Sequence, residues 1–215
     1  MNAVHVEVTD AGVTFGDECV FRDFTARFPG GRITALVGPS GSGKSTLLAI
    51  LAGYARLTTG RVAMQSVVDG TRALPDASRV AWVPQGSNAL GRRSVIDNVA
   101  VAALSSGLAL REAHAQAKQA LDTVGLGALA DAQARSLSGG ELQRVAFARA
   151  LASRKGLILA DEPSANLDAG NTEVISGLLR GLTADATIVV ATHDPLLIDS
   201  AEFVVGMRRG ATRVD

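Results

Sequence analysis

One cysteine, Cys19, stands among 215 residues, so no disulfide can form within the chain. That suits a reducing compartment. With no base near it in sequence, Cys19 is expected as a small core residue rather than a nucleophile. Neither sign of charge is in surplus: Lys+Arg and Asp+Glu are both 21. Without a basic block there is no electrostatic footprint for nucleic acid. No stretch reaches the roughly 18 uninterrupted apolar residues of a membrane helix. The most apolar candidate, residues 95–110, is broken by Asp97, Asn98, Ser105 and Ser106. The opening MNAVHVEVTD carries neither the basic start nor the long apolar run of a signal peptide. The chain is therefore expected to meet a membrane only from the aqueous side, without inserting. Internal repeats, low-complexity tracts and linkers are missing too, which predicts one folded unit over 1–215.

What is present has globular composition, 47% hydrophobic and 20% charged. Val4, Val6 and Val8 alternate with polar residues, and so do Phe24, Ala26 and Phe28, the period of half-buried strands. After the turn Pro29-Gly30-Gly31, ITALV is a short apolar run of the kind that forms a fully buried strand. Residues 60–84 return to β character. Residues 94–129 and 138–152 read as helical, LILAD as a buried strand, 171–182 as a helix, and TIVVAT and EFVVGM as the last strands. Strands alternating with helices predict an α/β fold with a mostly parallel core sheet. The early strands form an antiparallel β subdomain beside it, and residues 86–153 an inserted helical subdomain.

Gly38-Pro39-Ser40-Gly41-Ser42-Gly43-Lys44-Ser45 fits G-x-x-x-x-G-K-[ST] without a mismatch. Glycines let the backbone curl so that successive N–H groups point at phosphate oxygens, and the next helix adds its N-terminal dipole. Lys44 is expected to reach the β- and γ-phosphates and the Ser45 hydroxyl to ligate Mg²⁺. Further on, Leu157-Ile158-Leu159-Ala160-Asp161-Glu162 puts two carboxylates at the carboxyl end of a buried strand, where parallel sheets bind ligands. Asp161 is assigned to the metal and Glu162 to the base that orients water.

Leu137-Ser138-Gly139-Gly140-Glu141 resembles the LSGGQ-type signature of the ATP-binding cassette (ABC) ATPases. Read from its residues alone, Ser-Gly-Gly opening a helix is either a second anion-binding helix start or an ordinary serine cap. The rest of the family's set follows in order. Gln85 resembles the Q-loop glutamine, Ser164-Ala165-Asn166-Leu167-Asp168 the D-loop, and His193 the switch histidine. The resemblance covers nearly the whole chain and implies a P-loop NTPase fold. It also implies ATP and Mg²⁺ as ligands, with Gln85 beside Ser45 and Asp161 at the metal and Thr46 joining the phosphate loop. Two copies would pack head to tail, so that Ser138, Gly139, Gly140 and Glu141 of one, with Asp168, complete the ATP site of the other. An adenine-stacking aromatic is implied before the phosphate loop. Phe15 holds that position where many relatives have tyrosine, though a core aromatic at a strand end is equally open.

Glu141 departs from the usual glutamine, as in cassette groups resembling lipoprotein-release and macrolide-efflux systems. The partner implied is a transmembrane permease, which would hold the subunit on the cytoplasmic face of the cell membrane. Rival readings are a regulatory cassette for a non-transporting membrane complex and a nucleic-acid machine. The second needs a coiled-coil insertion for which the roughly ninety residues between Lys44 and Ser138 leave no room. A P-loop GTPase is disfavoured because no N-K-x-D motif appears.

Overall fold

The computed structural model describes residues 2–208 apart from Ser87 and Ala184. In β1 (Val4–Phe15) Val6 and Val8 are buried and His5 and Glu7 are not, and in β2 (Glu18–Phe28) Phe24, Ala26 and Phe28 point the same way. The two pair antiparallel with Val8 opposite Ala26. The register slips between Val8 and Ala11, and Asp10 takes a left-handed φ of 47° there. β3 (Ile33–Val37) leads through the phosphate loop into α1 (Lys44–Leu51). β4 (Thr59–Ser66) and β5 (Arg72–Ala73) rejoin the first sheet, giving the order β2-β1-β4-β5.

β6 (Val80–Val83) instead belongs to a second sheet. Three helices follow it: α2 (Val95–Leu104), α3 (Leu110–Thr123) and α4 (Gly139–Ala152). The chain then alternates through β7 (Leu157–Asp161), α5 (Ala169–Leu182), β8 (Thr187–Ala191), α6 (Pro195–Asp199) and β9 (Phe203–Gly206). The second sheet has the order β6-β7-β8-β3-β9, with every pair parallel. The expected α/β architecture is therefore present, with its antiparallel sheet and its inserted helices.

A parallel sheet must be covered on both faces, and strand alternation delivers this. Ile158, Ala160, Ile188 and Val190 face Val99, Leu121, Phe147 and Leu179 of α2 to α5. Leu157, Leu159, Val189 and Ala191 face Leu47 and Leu51 of α1 and Phe21, Phe24 and Phe28 of the antiparallel sheet. Truncating a fully buried ring such as Phe147 to alanine would cost about 3–5 kcal/mol.

Three local expectations change. The helical stretch 94–129 is two helices, because the Ser105 and Ser106 hydroxyls both donate to the Ala102 carbonyl and Gly107 then turns at φ 90°. A short helix, α6, follows the TIVVAT strand, started by the Asp194 side chain accepting from the Leu196 N–H. Cys19 is exposed rather than in the core, because the β1–β2 hairpin puts it opposite Thr14 beyond the last buried pair, Val13 and Phe21. Among the described residues, no helix is long and apolar enough to cross a membrane.

Candidate functional site

Four strands of the parallel sheet end side by side. β3 runs into the loop 38–45, β6 into Gln85, β7 into Asp161 and Glu162, and β8 into His193. Neighbouring strands are in register up to their ends, with Asp161 and Leu36 both opposite Ala191. The carboxyl edge therefore gathers residues more than a hundred positions apart into one cleft of about 650 Å³. Gly38, Pro39, Ser40, Gly41, Ser42, Gly43, Lys44, Ser45, Thr46, Gln85, Asp161, Glu162 and His193 all line it.

Two glycines of the loop are required by geometry. A Cβ on Gly38 would lie 2.5 Å from the Met207 carbonyl oxygen. Gly43 has φ 94°, and its Cβ would lie 2.8 Å from the Phe21 ring. Gly43 is also the N-cap of α1, so no side chain covers the first N–H groups of that helix, which leaves them for an anion. The Lys44 ammonium turns back across the loop and donates to the Gly38 carbonyl at 2.8 Å.

The two carboxylates of the acidic pair sit in different surroundings. Burial pushes the Asp161 carboxyl above the usual aspartate range, and the neighbouring Ser45 hydroxyl opposes that shift. Asp161, Ser45 and Gln85 supply one carboxylate, one hydroxyl and one amide. Among the described residues no group of three or more His, Cys, Asp or Glu side chains could hold a metal. Such a sparse oxygen set fits Mg²⁺, which keeps waters and binds substrate phosphates, and not a metal needing an all-protein cage. Glu162 adopts φ 44°, unusual for a non-glycine residue and costing on the order of 1 kcal/mol. Its N–H holds the Ala191 carbonyl at 2.8 Å and its carbonyl accepts from Ala165, so the turn aims its side chain into the cleft. One Glu162 oxygen lies 3.9 Å from Lys44 Nζ and the other 2.9 Å from His193 Nδ1.

The remaining candidates lie outside the cleft. Phe15 ends β1 with 61% of its surface exposed, which excludes a core aromatic. Ser138 and Gly139 are exposed at the start of α4. The Ser138 N–H and hydroxyl both donate to the Glu141 carboxylate at 2.8 Å, and the Glu141 N–H donates back to Ser138 Oγ. These bonds hold the Glu141 carboxyl below its ordinary range. Asp168 caps α5, accepting from the Asn171 backbone and side chain. Asn171 in turn sits so close to Gly140 that a Cβ there would collide with its amide. Within one chain, then, the signature segment packs against Asn171, the partner of Asp168, and Ser138 and Gly140 do not line the phosphate-loop cleft, whereas Ala165 of the D-loop does. Two cleft residues escaped the sequence reading, Val20 and Ala165. Ala165 belongs to the segment that resembles the D-loop, whereas nothing in the pattern around Val20 marks it.

The family model described as "ABC transporter" matches residues 21–165. The chain is 37% identical over 202 residues to the lipoprotein-releasing system ATP-binding protein LolD of Cereibacter sphaeroides, covering 91% of this chain and 90% of that one. It is 37% identical over 205 residues to the macrolide export ATP-binding/permease protein MacB of Rhodopirellula baltica, covering 91% of this chain and 30% of that protein. Among solved structures it resembles a dimeric post-hydrolysis ATP-binding cassette bound to ADP and Pi, at TM-score 0.82, 28% identity and 97% coverage of both chains. Sequence, site and fold agree: the chain belongs to the ABC transporter family and is an ATP-binding ATPase subunit.

Proposed function

We propose that this subunit powers the movement of a substrate through a separate membrane permease, by closing head to tail on a second copy around Mg-ATP and reopening after hydrolysis. The observation that carries this reading is the Glu162 carboxylate, aimed into the phosphate-loop cleft between Lys44 and His193. The loop 38–46 cradles the phosphates through its N–H groups, and Lys44 exchanges the Gly38 carbonyl for phosphate oxygens. Ser45, Asp161 and Gln85 would hold Mg²⁺, which would supply charge neutralisation to the phosphates. Glu162 accepts the proton of the attacking water, and His193 keeps that water and the γ-phosphate in line. Positioning and electrostatics are most of what phosphoryl transfer asks of a protein. Phe15, exposed at its strand end, stacks on adenine.

The exposed start of α4 supports a role in trans, since Ser138 and Gly139 face solvent rather than their own cleft. The resemblance to a cassette solved as a dimer points the same way. Glu141 contributes through Ser138, whose hydrogen bonds engage its carboxylate, and Asp168 through Asn171 against Gly140. Residues 1–215 act as one ATPase unit. Its helical subdomain, about 86–153, turns the exposed Leu90, Val101, Leu104 and Leu110 toward the permease. That contact holds the subunit on the cytoplasmic face of the membrane, with neither nucleic acid nor direct insertion involved.

The test is to isolate the subunit from its own membranes and assay it. A polytopic membrane protein should accompany it, and ATPase activity should disappear with Glu162→Gln. Association with nucleic acid instead, or undiminished turnover in that variant, contradicts the reading.

A further inference from the structure

Asn98 on α2 is 1% exposed and has every polar atom engaged. Its amide nitrogen donates to the carbonyls of Leu90 at 3.1 Å and Ser94 at 2.9 Å, and its oxygen accepts from the Leu90 N–H at 2.7 Å. The same oxygen also accepts from Arg149 Nη2 on α4 at 2.6 Å. Arg149 Nε donates to the Asn98 backbone carbonyl at 2.9 Å, and Nη1 to the Asn88 carbonyl at 3.3 Å. One guanidinium fork thus grips the side-chain oxygen and the backbone carbonyl of Asn98 and reaches Asn88, three residues after Gln85, while the Asn98 amide holds Leu90 and Ser94. A neutral or point-charge side chain cannot reproduce that fork.

A second strap runs parallel to it. The N–H groups of Ala134 and Arg135 donate to the carbonyls of Arg93 and Gly91, and those of Val95 and Ile96 donate to the carbonyls of Ala132 and Ala130. The signature segment at Ser138 is therefore bracketed. The chain just before it is tied to residues 91–96, and the helix that it starts is tied through Arg149 to residues 88–98.

We propose that Arg149 and Asn98 are positioning residues for ATP hydrolysis, a buried clamp that fixes the signature helix to the segment following Gln85, so that Ser138 is presented to a partner's ATP in one orientation. Neither side chain lines the cleft. The clamp acts through Ser138 and rests on the trans arrangement proposed above. A displacement at Gln85 is carried by the clamp to Ser138, which links what one site holds to what the other receives.

The test compares wild type with Arg149→Ala, Arg149→Lys, Asn98→Ala and the double alanine variant. Affinity of the single chain for a fluorescent ATP analogue should stay within about twofold, because the cleft residues are untouched. The turnover number per folded chain should fall about tenfold in Arg149→Ala, the size expected for losing charge-assisted hydrogen bonds that align a reacting group. Arg149→Lys should recover only part of it. The double variant should lose no more than the worse single one, since both remove the same clamp. In a Glu162→Gln background, Arg149→Lys should need more ATP to dimerise.

Unchanged turnover in Arg149→Lys and Arg149→Ala, or losses that multiply in the double variant, overturns the clamp. Should Arg149→Ala not fold, the lysine variant decides alone, because it keeps charge and bulk. Failure of the underlying reading looks different: wild type itself would then show no ATP-dependent dimer or no hydrolysis.

Discussion

His193 Nδ1 lies 2.9 Å from Glu162 Oε2, a contact between the ends of two adjacent parallel strands. His193 is 79% exposed while Glu162 is 17% exposed. The histidine therefore reaches in from the rim toward a carboxylate that the fold has largely enclosed. Glu162→Gln keeps shape and removes the proposed base, so turnover should fall by roughly a hundredfold or more with ATP still bound. His193→Ala should also lower the turnover number while leaving ATP affinity within a few-fold. Steady-state kinetics beside equilibrium binding checks both, and a histidine variant that loses affinity alone would contradict the assignment.

Lys44 holds the Gly38 carbonyl at 2.8 Å and is poised to exchange it for a phosphate oxygen. Lys44→Ala should weaken ATP binding by about ten- to a hundredfold, the range for charge-assisted hydrogen bonds. Calorimetric titration of ATP reads this directly. Because the lysine's hydrogen bonds stay within its own loop, melting temperature should change little.

Phe15 offers a bare ring at the end of β1. Stacking on a base is tolerant of which base it is, so Phe15→Ala should weaken ATP and GTP binding alike by about tenfold, and Phe15→Tyr should restore both. Unchanged affinity in the alanine variant would remove Phe15 from the nucleotide site.

Glu141 and Ser138 form a reciprocal cap at the start of α4. Glu141→Ala should cost about 0.5–1 kcal/mol near neutral pH, a shift of a few degrees in melting temperature. The folded carboxyl sits below its ordinary value of 4.5, so folded chains bind fewer protons than unfolded ones just under that pH. The stabilisation is complete above 4.5 and fades as the pH falls through the lowered pKa. Thermal melts across that range should show wild type and variant converging in acid.

The cleft was legible in the sequence because its residues are contiguous motifs at strand ends: the glycine loop, Asp161-Glu162 and the His193 turn. The parallel sheet was legible because its strands are short and uniformly apolar. The break at Ser105–Gly107 was not, since alanine-rich flanks on both sides carry the same helical period and the stop is set by hydroxyl bonds to Ala102 and the left-handed turn at Gly107. Val20 was not legible because its place beside Gly43 comes from the antiparallel sheet folding over the loop, a contact with no local pattern. The Asn98–Arg149 clamp joins residues 51 positions apart and leaves no periodic trace.

The central claim is that one chain holds only half of a working site. Phe15 and the loop side lie here, while Ser138 faces away from its own cleft. The mass in solution of Glu162→Gln, measured with and without Mg-ATP, tests this most directly. The account predicts a monomer that becomes a dimer only when the nucleotide is present, and that stays monomeric when Ser138 is also replaced by a bulky residue. A Glu162→Gln chain that saturates with ATP and remains a monomer would contradict it.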